Sequence, residues 1–425
     1  MGCVIGSTPL RGDGIHQTRL IKHNIMDLVT RAHHIVIDAG SSGTRLFLYE
    51  VIPGLYPNVH LLNEVEIERM PNGMREDGIN NFVDPDSPGG AEMVLPMTIL
   101  PLLDQVRPTL ARLGVPTGEV RVDLFATAGM RYAEKMFGSE VVANFYKIIK
   151  KGIDNAGFQS GHVQTSDGES QEGVWTWINL NDLERDVFRS DHSPFGIVEV
   201  GGSSAQLTYT LDDPASSDGP TRIVNINGRT FHVFCRTYLG LGQDDARKAM
   251  RIQLQDHANC CFPRGFDPRH DIGDVLDGVG HFKLAKHGDY DVDRCLDTYE
   301  NIIHTLTQHC GLPDLSQLGI EFVATDAIFH ATRYWNLEKD PVRLMELIMQ
   351  HAYETDSFPS IESNEFIQAQ LANATYVYAF LYGRSGLFRS NPSLLSRALP
   401  NKVNDKTRLT WTRGYLIESY SISQP

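Results

Sequence analysis

Two stretches of the chain repeat one layout, and that repeat limits what the chain can fold into. In residues 35–49 (IVIDAGSSGTRLFLY), the apolar run Ile35-Val36-Ile37 meets an acid, Asp38. The small-residue turn Ala39-Gly40-Ser41-Ser42-Gly43-Thr44 and a second apolar run, Leu46-Phe47-Leu48-Tyr49, follow. In residues 196–209 (GIVEVGGSSAQLTY), Ile197-Val198 precede Glu199, the turn Gly201-Gly202-Ser203-Ser204, and Leu207-Thr208-Tyr209. Each reads as strand, tight turn, strand. Glycines let the backbone of such a turn approach a ligand closely. Its successive N–H groups form a nest for an anion, and the hydroxyls of Ser41, Ser42 and Thr44 add donors. Asp38, at a strand end, is placed to hold a cation or its waters. One such stretch alone need be no more than a polar hairpin. Two of them, about one domain length apart, suggest two related half-molecules facing one phosphate chain.

A chain of 425 residues is long enough for two domains with real cores. Its formal net charge of -15 argues against a nucleic-acid groove. An acidic protein can still bind anions through backbone nests and a divalent cation. No stretch reaches the roughly 18 apolar residues that span a bilayer, and the N-terminus lacks the apolar region of a signal peptide. Met1-Gly2-Cys3 begins like a myristoylation signal, which Gly6 breaks. The cysteines at 3, 235, 260, 261, 295 and 310 form no C-x-x-C pair, which argues against a zinc or thioredoxin-like site. Those between 260 and 310 allow one or two disulfides, or buried free thiols.

Along the chain, residues 1–32 read as an extension with a weakly amphipathic stretch at 21–29. Strands are expected at 59–70 and 120–127, and a Gly/Pro-rich loop at 71–90. A helix over 91–113 is bounded or kinked by Pro96 and Pro101. A second, over 139–156, turns Val142, Phe145 and Ile149 inward. Similar alternation around 197–209, 221–234 and 244–254 indicates α/β domains with mixed sheets.

Two further stretches carry chemistry. In 122–131 (VDLFATAGMR) an apolar strand runs into Ala126-Thr127-Ala128-Gly129 and then Arg131. Small residues at a strand's C-terminal end let a ligand sit against backbone. Thr127 can orient a water or a phosphate oxygen, although close strand–helix packing would give the same pattern. Arg131 fits a phosphate contact or, more simply, a structural ion pair. In 167–183, Glu172-Gly173 opens a helix carrying Trp175 and Trp177. The helix dipole favours an ionised carboxylate there, and a carboxylate beside phosphate turns can take a proton from water. Glu169 competes for that role, and a plain helix cap is the simpler use of either.

Taken together, these stretches resemble the apyrase family, the nucleoside triphosphate diphosphohydrolases, over about residues 35 to 416. Asp38–Thr44 matches the family's Asp-Ala-Gly-Ser-Ser/Thr-x-Thr, and residues 126–131 are identical to its Ala-Thr-Ala-Gly-Met-Arg. Glu172, Gly173, Trp177, Ile178 and Asn181 match its third motif; Gly201, Gly202, Ser204 and Gln206 match its fourth. Further similarities are Tyr238-Leu239-Gly240-Leu241-Gly242 with Ala246, Cys261-Phe262-Pro263-Arg264-Gly265, and Trp411 with Gly414-Tyr415.

The resemblance implies an α/β fold of two RNase-H-like domains with mixed sheets flanked by helices, the actin-like ATPase architecture, with the active site in the interdomain cleft. By that layout domain I is 33–164 plus 402–425 and domain II is 165–401. It implies hydrolysis of terminal phosphates of nucleoside tri- and diphosphates with Mg²⁺ or Ca²⁺, Mn²⁺ being a further candidate. By position, Glu172 would be the general base for water, with Thr127, Ser204 and Gln206 positioning that water. Ser41, Ser42, Gly43, Thr44, Gly201, Gly202 and Ser203 would line the phosphate loops. Asp38 and Glu199 would hold the metal through its waters, since Mg²⁺ sheds water reluctantly. Residues 322–330 resemble the base-binding segment, with Ala327, Phe329 and His330 as its contacts. The resemblance also implies nucleoside di- and triphosphates as partners and a secreted or lumenal location, while the missing signal peptide keeps a cytoplasmic one open; a monomer is expected.

The chain departs from the family in three places. Gly43 stands where many members have His, Glu199 replaces an Asp, and Phe329 and His330 replace tyrosines. No counterpart of an Arg and a Tyr seen in some relatives appears near 368–373. The competing readings are a polyphosphate or guanosine-pentaphosphate hydrolase, which needs no base pocket, and a slowly turning nucleotide switch of the actin or heat-shock type.

Overall fold

Ile35, Val36 and Ile37 are all fully buried, because the strand that carries them is covered on both faces. The computed structural model describes residues 31–41, 43–66, 78–86, 90–213, 219–254, 260–262, 289–353, 370–404 and 407–421. The expectations for residues 1–30, for Ser42, for 67–77 and 87–89 of the expected strand and loop, and for Pro263-Arg264-Gly265 lie outside these.

Strands β1 (Ala32–Gly40), β2 (Gly43–Ile52), β3 (Asn58–Glu66), β4 (Arg121–Ala126) and β5 (Gln159–Thr165) form one mixed sheet in the order β3-β2-β1-β4-β5. β1 pairs antiparallel with β2 and parallel with β4. The second sheet comprises β6 (Gly196–Val200), β7 (Ser204–Leu211), β8 (Thr221–Ile226), β9 (Arg229–Leu239), β10 (Phe322–Asp326) and β11 (Leu395–Ala398). Its order is β11-β10-β6-β7-β9-β8. Here too the hairpin β6–β7 is antiparallel and β6–β10 parallel. Apart from the extra edge strand β8, the second sheet repeats the first. Residues 221–234 carry a hairpin, β8 to β9, turned at Asn227-Gly228, where both residues have positive φ.

Helices α1 (Leu100–Leu113), α2 (Ala128–Phe137) and α3 (Ser139–Asn155) belong to the first sheet, and α4 (Gly173–Arg185) follows it. Helices α5 (Gln243–Leu254), α6 (Val292–Thr307), α7 (Ala327–Tyr334), α8 (Leu344–Tyr353) and α9 (Gln370–Tyr382) belong to the second sheet. α10 (Trp411–Tyr420) ends the described chain. The helix expected over 91–113 is divided into a 3₁₀ turn, a π turn and α1. Pro96 and Pro101 sit near the starts of the last two, where a missing N–H costs little.

Period-two alternation sorts the strand side chains into separate cores. Ile35 and Ile37 pack beneath the helices of the first sheet, whereas Val36 faces the other way. Val198 and Val200 of β6 join the core of α5–α9, whereas Ile197 meets Val36 in the central core. α4 and α10 fill that central layer between the sheets, supplying Trp177, Ile178, Trp411 and Leu416. Their crossing is close. A Cβ on Gly414 would overlap the Trp175 carbonyl, and the Trp175 and Tyr415 rings stand 5.0 Å apart, edge to face.

A buried polar cluster anchors α10 to the first sheet. Asp123 of β4 lies 2.7 Å from His34 Nε2 and accepts from Tyr415 OH at 2.6 Å. Burial alone would raise this carboxyl, but the bonds and charge from His34, with Tyr415 and Arg121, outweigh it and hold Asp123 down at about 2. Between 260 and 310 there is one disulfide among the described residues, Cys261–Cys295. Cys260 is a buried free thiol, Cys310 an exposed one.

Candidate active site

The two acid-bearing strands end side by side, and the turns that follow them face one cavity of about 670 Å³. From the first sheet it receives Asp38, Gly40, Ser41, Gly43 and, after β4, Thr127. From the second it receives Glu199, Gly201, Gly202, Ser203, Ser204 and Gln206. This convergence follows from the shared topology. Asp38 pairs with Arg45 on β2, and Glu199 holds the equivalent register opposite Gln206 on β7. Thr44 is fully buried outside the cavity wall, and its hydroxyl has no partner among the described residues.

The second turn is shaped from behind. The Gly201 N–H bonds the Ser204 carbonyl, while Gln243 and Asp244 N–H groups at the start of α5 bond the Gly201 and Gly202 carbonyls. With these carbonyls drawn back onto α5, the opposite side of the turn is left to N–H groups. Gly242 fits against this backbone, because any Cβ there would overlap Gly202 and Ser203. That close approach explains the glycine ending Tyr238-Leu239-Gly240-Leu241-Gly242.

Glu172 sits at the junction of a π turn and α4, 7% exposed, on the cavity wall. Glu169, the other carboxylate of the segment, is exposed and lies away from that wall. The sequence left Arg131 between a phosphate and an ion pair; here its guanidinium pairs with Glu172. Its Nε donates to the Ser166 carbonyl at 3.2 Å. Burial lowers Arg131 to about 10, which leaves it charged at neutral pH. Gln206 Nε2 donates to Ser204 Oγ at 2.7 Å, so the Ser204 proton is left to point elsewhere.

Two carboxylates could hold a cation. Burial pushes Asp38 up to about 6, opposed mainly by Arg45, and the Trp411 indole bonds it. Burial raises Glu199 too, and the Asp326 carboxylate beside it adds to the rise. Glu199 Oε2 is buried with no partner among the described residues. Among those residues no three Asp, Glu, His or Cys side chains converge closely enough to ligate one ion directly.

Asp326 escaped the sequence reading. It ends β10, bonds Glu199 and Asn401, and has φ 59° with ψ -123°, a strained conformation for a residue with a side chain. β10 stands to β6 as β4 stands to β1, each a parallel neighbour of an acid-bearing strand, so its end reaches the same cleft as Thr127. Beyond it, Ala327 and His330 line the cavity. Phe329 does not; it is half-buried against the core of the second sheet. About one helical turn farther on, Arg333 and Tyr334, which the sequence did not single out, line the wall. Arg247, Gln370 and Asn373 line the cavity as well, near the region where the sequence offered no counterpart of the relatives' Arg and Tyr.

Two mixed sheets of one strand order, each presenting a glycine-rich turn to a shared cleft, define the actin-like ATPase class. The chain belongs to the GDA1/CD39 (nucleoside phosphatase) family, whose profile matches residues 26–358. It is 26% identical over 326 residues to the nucleoside-triphosphatase ntp-1 of Caenorhabditis elegans, covering 71% of this chain and 54% of that one. Human ectonucleoside triphosphate diphosphohydrolase 2 is 26% identical over 252 residues, 57% of this chain and 48% of its own. The chain thus spans about half the length of these two relatives. A solved structure of nucleoside triphosphate hydrolases from Neospora caninum is similar across 96% of both chains, with a TM-score of 0.57 and 15% identity. At that identity the likeness speaks for the fold. Among the described residues no helix is long and apolar enough to cross a membrane.

Proposed function

We propose that the cleft hydrolyses the terminal phosphate of nucleoside tri- and diphosphates with the help of a divalent cation. The observation that carries this reading is the placement of Glu172 on the wall of a cavity entered by both glycine-rich turns. The two lobes would be 33–164 with 402–425, and 165–401, one turn on each.

The turns around Ser41 and Gly202 bind phosphate oxygens through backbone N–H groups and hydroxyls. Glu172 takes the proton of the attacking water, and Arg131 keeps its carboxylate charged and fixed. Thr127, Ser204 and Gln206 orient that water in line with the leaving oxygen. Asp38 and Glu199 suit a hard cation held through its waters: the donors are oxygens, and one buried Glu199 oxygen lacks a partner among the described residues. Mg²⁺ or Ca²⁺ bound there would neutralise charge on the transferring phosphate. Asp326 adds a third carboxylate to that environment.

The test is phosphate release from ATP, GTP, UTP, ADP, GDP and UDP, each with Mg²⁺, Ca²⁺ or EDTA, with Glu172→Gln as the control. Metal-dependent turnover that falls at least about a hundredfold in the variant is the expected result. Activity on polyphosphate alone would replace the proposed substrate, and full activity of Glu172→Gln would remove the proposed base.

A further inference from the structure

The wall of the cavity formed by α5 and α9 presents hydrogen-bond donors in a fixed arrangement. Asn373 is 4% exposed and lines the cavity. Its Oδ1 accepts from Arg247 Nη1 at 3.0 Å. Arginine carries only donors, so the amide can be oriented one way alone: carbonyl toward Arg247, NH₂ away from it. That NH₂ has no protein partner among the described residues and is not shut away from the cavity. Arg247 is itself held, its Nη2 donating to Asp244 Oδ1 at 3.0 Å. Asp244 in turn is tied by its N–H to the Gly202 carbonyl of the phosphate turn. A hydrogen-bonded path therefore ties the Asn373 amide to the phosphate turn. His330 and Tyr334 of α7, the helix packed beside α9, also line the cavity, rings against which a flat base can stack.

We infer that Asn373, oriented by Arg247, selects nucleotides whose base turns a carbonyl oxygen to this wall, namely guanine and uracil nucleotides over adenine and cytosine ones. Guanine offers O6, and uracil O4, as the exocyclic acceptor on that edge; N7 is an acceptor in both purines, so the choice is made at the exocyclic position. Adenine and cytosine place an amino group there instead, so that donor would meet donor. A donor left without an acceptor in a buried wall is costly, and the cost sets the discrimination at about tenfold or more. This inference rests on the nucleotide-hydrolase reading and adds to it the identity of the base. Ribose hydroxyls can also meet a donor, but they are common to all four nucleotides and give no preference.

The experiment compares kcat/KM for GTP, UTP, ATP and CTP in the wild type, Asn373→Asp and Asn373→Leu, alongside equilibrium binding of GDP and ADP. The aspartate keeps the bond to Arg247 and turns an acceptor to the cavity; leucine removes the donor. The wild type should favour GTP and UTP about tenfold. Asn373→Asp should reverse the order, Asn373→Leu should level it, and GDP should bind wild type more tightly than ADP. Equal use of the four triphosphates, or a preference that survives Asn373→Asp, overturns the inference and leaves the hydrolase reading standing. If no nucleotide is hydrolysed, the hydrolase reading fails by itself, and the GDP/ADP binding ratio still decides the role of Asn373: a ratio near one overturns it.

Discussion

The Arg131 guanidinium pairs with the Glu172 carboxylate at the edge of the cleft, joining the first residues of α2 to the start of α4. The two side chains come from different lobes of the proposed division, so the pair also ties the lobes together. Both are largely buried, at 13% and 10% side-chain exposure. Removing one partner leaves the other as an unpaired charge with little solvent, which is the expensive way to break such a pair.

Arg131→Ala should therefore lower kcat by about ten- to a hundredfold with KM changed less than about threefold, since it acts through Glu172 and not on substrate. Arg131→Lys should recover part of kcat by restoring charge without the planar fork. Steady-state kinetics of both variants, with melting curves, check this. Equal losses in the two would place the importance of Arg131 in shape rather than charge.

Asp326 adds a negative charge beside Glu199 and Asp38, with Arg45 as the nearby positive group. In EDTA, Asp326→Asn should melt higher by about 2 °C, because a like-charge repulsion is relieved. The same variant should gain less from added Mg²⁺ than the wild type does. Calorimetry with and without metal reads both effects. A lower melting point in EDTA would mean that the Asn401 and Glu199 bonds outweigh the repulsion.

Asp123 predicts an acid limb of stability. Its carboxyl is held at about 2 in the fold against an ordinary 3.8. A depressed carboxylate stabilises the fold above its unfolded value, and that contribution is lost as pH falls through the folded one. Roughly 2 kcal/mol should thus disappear between about pH 4 and pH 2. Asp123→Asn should start less stable at pH 7 and show a flatter dependence in that window. Denaturant titrations across the range would show parallel curves if Asp123 were not responsible.

Gly414 lets α10 approach the Trp175 carbonyl. Gly414→Ala should cost about 1–3 kcal/mol through overpacking, although alanine is the better helix former. A melting point at or above wild type would mean that α10 shifts outward freely. In that case Trp411, which bonds Asp38 from the same helix, should move with it and activity should fall.

Much of the frame could be read from residue order alone. The duplicated acid–turn hairpins, β4 with its small-residue end, and the helix opening at Glu172 depend on local periodicity and on glycine placement, which a sequence displays directly. Pro96 and Pro101 marked segment starts for the same reason. What belongs to the fold alone is each relationship between side chains far apart in the chain. Glu172 and Glu169 are both acids near one helix start, and only the packing of α4 turns one toward the cleft and leaves the other in solvent. Phe329 and His330 are neighbours, yet the 100° step of a helix sends one into the core and the other to the cavity. Arg131 finds Glu172 forty-one positions away, and Arg247 finds Asn373 at a separation of 126. Neither pair has a local signature, because the free energy that brings them together comes from burying the sheets and helices between them, and the polar groups take whatever partners that burial provides.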